Sequence, residues 1–394
     1  MAAGCRTQRL IGPRSIPKVR PLLLAALAAL AGCATQTVDN SGAVPGPPPT
    51  WTVPAGAGPA LTPISFAQVP GWNADHQAEA LATFIAGCAR MSGRSLGGQG
   101  QAASLGGRPG QWQAACAAAG QVAPGDDAAA RAFFEAYLQP YGVSSDGNAE
   151  GLFTGYYEPE VAGARSPGGP YQVPVYRRPT GLVPGRPYLT RAEIDRGALK
   201  GKRLEVVWLA DPTDAFFLHI QGSGRVRLPD GSTVRLNYDA QNGRSYVPIG
   251  RVLVSRGEMS LDQVSMQSIR AWLATHPDQA RGLMDTNPSY VFFREVNGVS
   301  SDVGAPGALG VPLSPLRSIA VDKGFIPLGA PVWINTRDAL DGSPFRHLMV
   351  AQDLGGAIRG PIRADIFFGW GADAENRAGV MRQQGTEIVL LPRG

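Results

Sequence analysis

The C-terminal stretch His347–Gly371 places two acidic residues beside two short apolar runs. Leu348–Ala351 precedes Asp353, and Ile366–Phe368 directly follows Asp365, with a glycine-rich turn between the two acids. Short apolar runs bounded by glycine are typical of buried strands. Two such strands bring both carboxylates to one place, and this requirement constrains the fold more than any other feature of the sequence.

Strand alternation puts Asp365 and Phe367 on the same face, so this acid has an aromatic neighbour. Burying a carboxylate is costly unless it is neutral or paired. To donate a proton near pH 7, Asp365 needs a pKa raised about three units from the usual value, or roughly 4 kcal/mol. Apolar neighbours and a charged Asp353 both act in that direction. Asp353 also fits a second interpretation, an aspartate that only shapes a turn.

The N-terminal segment has the organisation of an export signal. Basic residues precede the apolar run Pro21–Ala31, which is too short for a membrane span of about twenty residues. Leu30–Cys33 resembles the bacterial lipobox, in which the cysteine is lipidated. The sequence therefore predicts a lipoprotein signal peptide over residues 1–32 and a lipid on Cys33, and Ala34 indicates the outer membrane. An ordinary secretory peptide or a buried apolar helix is the alternative.

The positive charge of the chain lies in the same segment. The 394 residues include 36 Lys and Arg against 31 Asp and Glu, with a formal charge of +5. Without the five basic residues of the signal, 31 basic residues face 31 acidic ones. A neutral chain without a basic cluster gives no electrostatic reason to bind nucleic acid. We therefore expect no nucleic-acid partner.

Two cysteines remain after Cys5 leaves with the signal and Cys33 carries the lipid. A disulfide between Cys88 and Cys116 suits an oxidising compartment, and two free buried thiols fit the sequence equally well. There is no CxxC pair and no HExxH motif, and the four histidines are scattered. The sequence predicts neither a metal nor a cofactor.

Residues 33–70 are rich in proline, glycine and alanine and predict a flexible tether. Helical spacing then begins near Asn73, with Asn73 or Asp75 as the cap. Between the first and second helices, Gly93–Gly110 is predicted to be a loop. The three predicted helices of this region cover Asn73–Met91, Trp112–Ala119 and Asp126–Leu138.

Beyond Gly151 the sequence changes to short strands separated by Gly, Pro and Asp turns. Seven strands predict a barrel-like unit: Leu152–Tyr157, Tyr171–Tyr176, Leu204–Leu209, Ala215–Gln221, Val226–Leu228, Thr233–Tyr238 and Tyr246–Leu253. Two helices follow, at Ser260–Thr275 and Pro277–Met284. A second set of strands is predicted at Tyr290–Arg294, Ser318–Val321, Val332–Asn335, His347–Ala351, Ile366–Phe368 and Glu387–Leu391, with one helix at Ala372–Gln384.

Two motifs contain candidate binding residues. Phe153–Pro159 places paired tyrosines beside a glycine, and tyrosine rings suit stacking on sugar faces. Phe216–Arg225 is predicted as a strand that runs into Gly-Ser-Gly, where a ligand can approach the backbone, with Gln221, Ser223 and Arg225 as polar contacts. A core strand and a plain hairpin turn are the respective structural alternatives.

Several long motifs, in one order between Asn73 and Pro392, resemble the membrane-bound lytic murein transglycosylases of the MltA type. They are FTGYYEP (Phe153–Pro159), FFLHIQGSGRV (Phe216–Val226), NPSYVFFRE (Asn287–Glu295), SIAVDKGFIPLGAPVWI (Ser318–Ile334) and AQDLGGAIRGPIRADIFFGWG (Ala351–Gly371). The last two resemble the three-aspartate segment that names the family's C-terminal 3D region, with Asp322, Asp353 and Asp365.

The resemblance implies a mainly β fold with a few helices and two domains. One domain is a double-psi β-barrel built from both chain ends, residues 71–156 and 285–394. The other is a smaller inserted β-domain, residues 157–284, with a sugar-binding groove between the two. The resemblance implies that Asp365 is the single catalytic acid/base and Asp353 its supporting carboxylate. It assigns groove contacts to Thr154, Tyr157, Gln221, Ser223 and Gly224.

The resemblance further implies cleavage of peptidoglycan glycan strands without water. Asp365 would protonate the oxygen between N-acetylmuramic acid and N-acetylglucosamine, then accept the proton of the C6 hydroxyl that closes a 1,6-anhydro ring. The expected partners are glycan strands, an outer-membrane lipid anchor and cell-wall synthesis proteins. The expected location is the periplasmic face of the outer membrane.

Three rival functions stay open on sequence grounds. A conventional glycoside hydrolase would use Asp365 as acid and Asp353 as base. A peptidoglycan-binding lipoprotein would have no activity. An aspartic protease is the least favoured, because Asp353-Leu354-Gly355 lacks the hydroxyl residue of Asp-Thr/Ser-Gly turns.

Overall fold

A computed structural model describes residues 46–93 and 95–393 of the chain. Within these ranges the strands are β1 (Pro59–Pro63), β2 (Leu138–Ser145), β3 (Gly151–Glu158), β4 (Glu160–Ala164), β5 (Val173–Tyr176), β6 (Glu205–Leu209), β7 (Ser223–Arg227), β8 (Thr233–Gln241), β9 (Val291–Glu295), β10 (Ser318–Val321), β11 (Pro331–Arg337), β12 (Pro344–Leu354), β13 (Arg363–Trp370) and β14 (Arg382–Pro392). The α-helices are α1 (Gln77–Met91), α2 (Gly100–Gly106), α3 (Gln113–Ala119), α4 (Asp127–Tyr137), α5 (Arg191–Glu193), α6 (Pro212–Gln221), α7 (Ile249–Ser255), α8 (Met266–Thr275), α9 (Pro277–Asp285) and α10 (Gly371–Val380).

Six strands close into a barrel in the order β3, β13, β10, β12, β11, β14, because β14 pairs with both β11 and β3. The pairs β3–β13 and β10–β12 are parallel, and the other neighbours in the ring are antiparallel. In sequence, β3 is separated from the other five strands by the whole second sheet. The prediction of a mainly β fold with a barrel built from distant parts of the chain is confirmed.

The second sheet has the strand order β5, β6, β4, β7, β8, β9. The sequence groups Tyr290–Arg294 with the second set of predicted strands, whose other members form the barrel. This grouping is wrong, because β9 pairs antiparallel with β8 of the second sheet. Phe292 and Phe293 are fully buried in the apolar clusters of this second sheet, which explains the pairing. The domain boundaries given above stay a prediction.

Helices α1, α3 and α4 cover one side of the barrel through aromatic side chains. Phe84 contacts the rings of Trp112, Phe133 and Phe134, and Trp72 contacts Trp333 of β11 with ring centroids 5.4 Å apart. The N-terminal helices therefore share the main hydrophobic core with the barrel.

Cys88 in α1 and Cys116 in α3 form a disulfide, with Cα atoms 5.7 Å apart. Of the two alternatives left open by the sequence, the structure contains the bonded pair.

Asp75 does not cap α1, and neither does Asn73, since the N-cap is His76. Asp75 instead accepts hydrogen bonds from the Arg317 guanidinium and from the backbone N–H of Leu348, each at 2.8 Å. Burial raises the pKa of Asp75, but hydrogen bonds to His347 and Arg317 outweigh burial and bring the pKa down to about 2. This acid therefore joins the start of α1 to β12 of the barrel.

The predicted strand Ala215–Gln221 is helical, because it belongs to α6. Asp211 is the N-cap and accepts a hydrogen bond from the backbone of Thr213 at 2.7 Å, and Pro212 occupies the first turn. Gly222 ends the helix with a φ of 78°. These start and stop signals outweigh the strand-like apolar run between them.

Three further expectations are corrected by the structure. The predicted strand Tyr246–Leu253 is a loop followed by α7, which begins after Pro248. The predicted loop Gly93–Gly110 contains α2. The predicted helix Ala372–Gln384 ends at Val380, because β14 begins two residues later and closes the barrel.

The predicted tether is structured over part of its length. β1 pairs antiparallel with β2, and Trp51 is buried against Gly142, where a Cβ would lie 2.3 Å from the indole. Apolar residues within a Pro/Gly-rich segment thus dock on the barrel sheet. The predicted signal peptide and Cys33 lie outside the described residues. Among the described helices, none combines the length and the apolar composition needed to cross a membrane.

Candidate active site

One register row across four strands defines the site. Ala320 on β10 pairs with Asp353 on β12 and with Asp365 on β13, and Asp365 in turn pairs with Thr154 on β3. Side chains in one register row project to the same face of a sheet. The two carboxylates therefore lie two strands apart, with their Cα atoms about 10 Å from each other.

Asp353 reaches this row because of a β-bulge in β12. Two residues of β12, Gln352 and Asp353, oppose a single step of β10. Gln352 is fully buried, accepts a hydrogen bond from the Ser318 hydroxyl at 2.7 Å and donates to the carbonyl of Thr83 at 2.8 Å. The bulge thus turns an amide into the core and places the following carboxylate in the row.

A small apolar cluster, separate from the main core, includes Ala320 of the row together with Tyr156, Leu313, Ile358 and Phe367. Phe367 follows Asp365 by two residues on the same face and is fully buried. Its ring centroid lies 5.2 Å from that of Tyr156. The aromatic neighbour predicted for Asp365 is therefore present, and it removes one side of the acid from water.

Asp365 is half-buried and is held by a hydroxyl group. The Thr154 Oγ1 donates a hydrogen bond to Asp365 Oδ1 at 2.5 Å. Burial raises the pKa of Asp365, while the Arg363 charge and the Thr154 hydrogen bond act against it. The sequence also expects a contribution from a charged Asp353, which is not among these causes. The raised pKa comes from desolvation.

Asp353 is held by two donors. Tyr156 Oη donates to Oδ2 at 3.0 Å, and the backbone N–H of Ala308 donates to Oδ1 at 2.9 Å. Burial raises the pKa of Asp353 to about 6, the charge of Asp365 adds to this rise, and the hydrogen bonds oppose it. Asp353 is therefore mostly ionised above pH 6 and lies beside an acid in a different environment. Two carboxyl groups in unlike surroundings are the arrangement that acid/base chemistry uses.

Two predicted binding residues meet where the second sheet joins β3. The backbone N–H of Tyr157 donates to Gln221 Oε1 at 3.1 Å. The Tyr157 ring is only 2% exposed and its hydroxyl contacts Met266 Sδ at 3.9 Å, so it offers no free face for stacking on a sugar. Gln221, at the end of α6, is half-buried and links the helix to the strand that carries Thr154.

Ser223 and Gly224 lie at the start of β7 and both are buried. Their partners across the ladder are Asn237 and Leu236 of β8. A Cβ at Gly224 would come within 2.3 Å of Leu218 Cδ1, so glycine is needed for α6 to pack on β7. The packing of α6 on β7 thus explains the glycine at position 224, for which the sequence suggests the close approach of a ligand.

Asp322, the third aspartate of the 3D region, lies outside the row. Its carboxylate accepts hydrogen bonds from the backbone N–H groups of Gly324 at 2.9 Å and Gly360 at 3.0 Å. This acid joins the turn after β10 to the loop before β13.

Two residues near Asp365 were missed by sequence reasoning. Arg363 precedes it by two positions and is 8% exposed. Tyr246 lies in the loop before α7; burial raises the pKa of its phenol to about 12, and Asp365 contributes to that rise. An arginine at the start of an apolar strand was a signal available in the sequence. Tyr246 gave none, because its segment was predicted to be a strand.

The described residues contain no group of three or more His, Cys, Asp or Glu side chains arranged to hold a metal ion.

Two family descriptions match the chain. Residues 152–294 match the MltA specific insert domain, and residues 317–391 match the 3D domain. The membrane-bound lytic murein transglycosylase A of Escherichia coli K12 is 37% identical over 277 residues, which covers 68% of this chain and 72% of the relative. The protein of the same name from Vibrio cholerae is 33% identical over 262 residues, which covers 65% of this chain and 68% of the relative.

Solved structures agree with these matches. A membrane-bound lytic murein transglycosylase from Agrobacterium tumefaciens has 34% identity and a TM-score of 0.76, with 85% of this chain and 98% of that chain covered. E. coli MltA with bound chitohexaose has 30% identity and a TM-score of 0.63, with 85% and 92% covered. The closed barrel with its register row of acids places the chain among the 3D-domain proteins. Within them, the chain belongs to the MltA family of membrane-bound lytic murein transglycosylases.

Proposed function

We propose that this chain is a lytic transglycosylase. It cleaves the β-1,4 bond between N-acetylmuramic acid and N-acetylglucosamine in peptidoglycan and leaves a 1,6-anhydro product. The observation that carries the proposal is the half-buried Asp365, with its raised pKa and its hydrogen bond from Thr154, in a chain of this family.

The reaction needs one group that acts first as an acid and then as a base. Protonated Asp365 gives its proton to the glycosidic oxygen as the bond from C1 of N-acetylmuramic acid to that oxygen breaks. The resulting Asp365 carboxylate then takes the proton of the C6 hydroxyl, whose oxygen bonds to C1 and closes the ring. The acid is regenerated and no water is consumed. Burial raises the pKa of Asp365, so its carboxyl holds a proton more strongly than a free aspartate does, and this suits the acid step.

Asp353 is the supporting carboxylate. Tyr156 and the Ala308 N–H hold it in place, and its pKa of about 6 makes it an anion at neutral pH. A fixed negative charge on the same face of the sheet stabilises positive charge that develops at C1 as the bond breaks. A base that activates water is not required by this chemistry.

The glycan strand binds in a groove between the barrel and the inserted sheet, with contacts from Thr154, Tyr157, Gln221, Ser223 and Gly224. The chitohexaose bound by the E. coli relative supports a sugar polymer as the ligand. Thr154 and Gln221 are half-buried and offer polar side chains to the ligand, whereas Tyr157, Ser223 and Gly224 are buried and form the wall beside them.

The chain is anchored to the periplasmic face of the outer membrane through a lipid on Cys33, and cell-wall synthesis proteins are its protein partners. The E. coli relative is a membrane-bound lytic murein transglycosylase, which supports the anchor. A Cys33→Ser variant, expressed with its signal, is expected in the soluble periplasmic fraction. Persistence of this variant in the outer-membrane fraction would contradict the anchor.

Product chemistry tests the function. The mature chain, with Cys33→Ser for solubility, is incubated with purified sacculi, and the released muropeptides are analysed by mass spectrometry. We expect products one water lighter than hydrolysed ones, and none of them from the matched Asp365→Asn variant. Hydrated products would make the protein a two-carboxylate hydrolase, and binding without products would make it a non-catalytic lipoprotein.

A further inference from the structure

Arg363 is a buried cation whose position is fixed by the barrel backbone. It lies on β13, two residues before Asp365 and on the same face, and is 8% exposed. Its Nη1 donates to the carbonyls of Ala364 at 2.6 Å and Leu152 at 3.3 Å. Its Nη2 donates to Thr154 Oγ1 at 2.9 Å. Among the described residues, no carboxylate forms an ion pair with this guanidinium.

The direction of each hydrogen bond follows from the chemistry of the groups. A guanidinium has only donors, so Thr154 Oγ1 must be the acceptor from Arg363. The single hydroxyl hydrogen of Thr154 is then free to point only at Asp365 Oδ1, 2.5 Å away. We propose that Arg363 is a positioning residue for the cleavage reaction, which fixes the Thr154 hydroxyl so that its hydrogen always points at Oδ1 of Asp365. This inference rests on the function proposed above.

The ordered hydroxyl selects which oxygen of Asp365 donates the proton. Oδ1 accepts from Thr154 whether Asp365 is charged or neutral, so the acid proton resides on Oδ2. Oδ2 is therefore the atom that gives the proton to the glycosidic oxygen and later takes the proton of the C6 hydroxyl. Without Arg363, the Thr154 hydroxyl can rotate away and the proton can occupy either oxygen.

The charge of Arg363 acts on the same carboxyl. Burial raises the pKa of Asp365 and Arg363 lowers it. Burial also raises the pKa of Glu387 on β14 to about 8, and the charge of Arg363 opposes that rise. The other titratable or charged groups that face Asp365 from packed elements are Asp353 of β12, Tyr156 of β3, Tyr246 of the loop before α7, and Arg382 of β14, the register partner of Thr154.

The decisive experiment measures the titration of Asp365 in the full mature chain. Carboxyl carbons of ¹³C-labelled aspartate are followed by NMR against pH, and the Asp365 signal is assigned as the one lost in Asp365→Asn. We expect Arg363→Gln to raise the Asp365 pKa by about one unit or more, because a nearby cation is removed. The matched control is Arg359→Gln, an exposed arginine of the preceding loop, which leaves the titration unchanged.

Enzyme kinetics give a second readout. In Arg363→Gln, the alkaline limb of the kcat/KM profile moves to higher pH with the Asp365 pKa, and kcat falls more than tenfold while KM changes little. Arg363→Lys keeps the charge but cannot donate to the two carbonyls and to Thr154 at the same time. Compared with Arg363→Gln, it should therefore return the alkaline limb to its wild-type pH but recover only part of kcat. Thr154→Ser keeps the hydroxyl and should leave the titration of Asp365 unchanged. In Thr154→Val the hydroxyl is absent, so kcat should no longer depend on Arg363.

An Arg363→Gln protein with native thermal unfolding and an unchanged Asp365 titration overturns the proposal. If Arg363→Gln does not fold, Arg363→Lys is measured both in the wild-type protein and in the Thr154→Val protein. An equal loss of kcat in the two proteins would contradict the proposal. Failure of the proposed function is a separate result, namely wild-type protein without anhydro products. The NMR titration still tests the link from Arg363 to Asp365 in that case.

Discussion

Strand β3 ends at the buried carboxylate of Glu158 and contacts the half-buried carboxylate of Asp365, and the two are compensated in different ways. Glu158, at its end, is fully buried and receives Arg235 Nη2 at 2.9 Å and Arg225 Nε at 3.2 Å. Thr154, in the middle of β3, donates a hydrogen bond from its hydroxyl to Asp365, and no cation among the described residues pairs directly with this acid. The Glu158 cluster joins β3 to β7 and β8 of the second sheet, and the Asp365 row belongs to the barrel.

Under the proposed function, the difference separates a structural carboxylate, Glu158, from a reactive one, Asp365. Two guanidinium groups pair with the buried Glu158 carboxylate and bind the surrounding elements together. A carboxyl that is removed from water and has no direct cation has a raised pKa and can exchange its proton. In the proposed mechanism, Asp365 can act as an acid because no cation in the described part of the chain pairs with it directly. The two guanidinium groups on Glu158 instead join β3 to the second sheet.

The largest expected effect comes from Asp365→Asn, which is isosteric but cannot donate or accept the proton. Cleavage should fall by about 10³-fold or more, because one group serves both proton transfers. Binding of glycan strands should persist, and muropeptide release from sacculi is the measurement. Residual activity within tenfold of the wild type would move the acid/base role to another residue.

The opposite result is expected for Glu158→Gln. Removing the carboxylate leaves Arg225 and Arg235 buried without a counter-charge, so the free energy of unfolding should fall by about 3–5 kcal/mol. Activity per folded molecule should change far less. Urea unfolding measures the loss. The matched control is Glu160→Gln, whose ion pair with Arg227 is exposed at 3.6 Å and should contribute less than about 1 kcal/mol.

Asp353→Asn should lower kcat about tenfold to a hundredfold at pH 7, because it removes a fixed charge near C1. Since the pKa of Asp353 is about 6, wild-type activity should fall as the pH drops below 6, and the variant should lack that fall. A pH profile of kcat for both proteins measures this. An identical acid limb in the two proteins would exclude Asp353 as its source.

Asp353→Asn should also differ from Glu158→Gln in its effect on the stability of the protein. The folded-state pKa of Asp353 is raised, so the folded protein binds this proton more strongly than the unfolded chain, and wild-type stability falls as the pH rises from about 4 through 6. At pH 7, Asp353→Asn should therefore be about 1–2 kcal/mol more stable, less than the full shift implies because the group is partly exposed. Glu158→Gln loses stability under the same conditions.

The smallest expected effect is that of Gln221→Ala, at the contact between the two regions. Its Oε1 accepts from the Tyr157 N–H at 3.1 Å, so the free energy of unfolding should fall by about 1 kcal/mol. KM for glycan substrates should rise about threefold to tenfold with little change in kcat, if the amide also contacts the sugar. An unchanged KM would assign Gln221 to the contact between α6 and β3 alone.

The sequence predicts the strands that carry Asp353 and Asp365 because both runs are short, apolar and bounded by glycine. It also predicts the aromatic neighbour Phe367, because alternation is a local rule. The register row itself could not be predicted. It depends on the bulge at Gln352 and on the parallel pairing of β13 with β3, and both are set by contacts between distant residues.

Two other failures have different physical causes. The segment of α6 was predicted to be a strand from its apolar run, although Asp211, Pro212 and Gly222 supply the cap, first turn and stop of a helix. The role of Arg363 depends on Thr154, 209 residues away in sequence, and on the absence of a paired acid. The first error was avoidable from local signals, and the second required the folded barrel.

The parallel pairing of β3 with β13 has a consequence for the order of events during folding. Thr154 and Asp365 are separated by 211 positions, and β14 must pair with both β3 and β11 before the ring closes. Closing so long a loop is slow, because its entropy is lost before the distant contacts form. While the chain is still being synthesised, its N-terminal part carries Thr154 without Asp365. The ring that holds both residues closes only after β14, which ends at Pro392, has been made. We therefore expect the ability to cut glycan strands to appear only after synthesis has reached that residue.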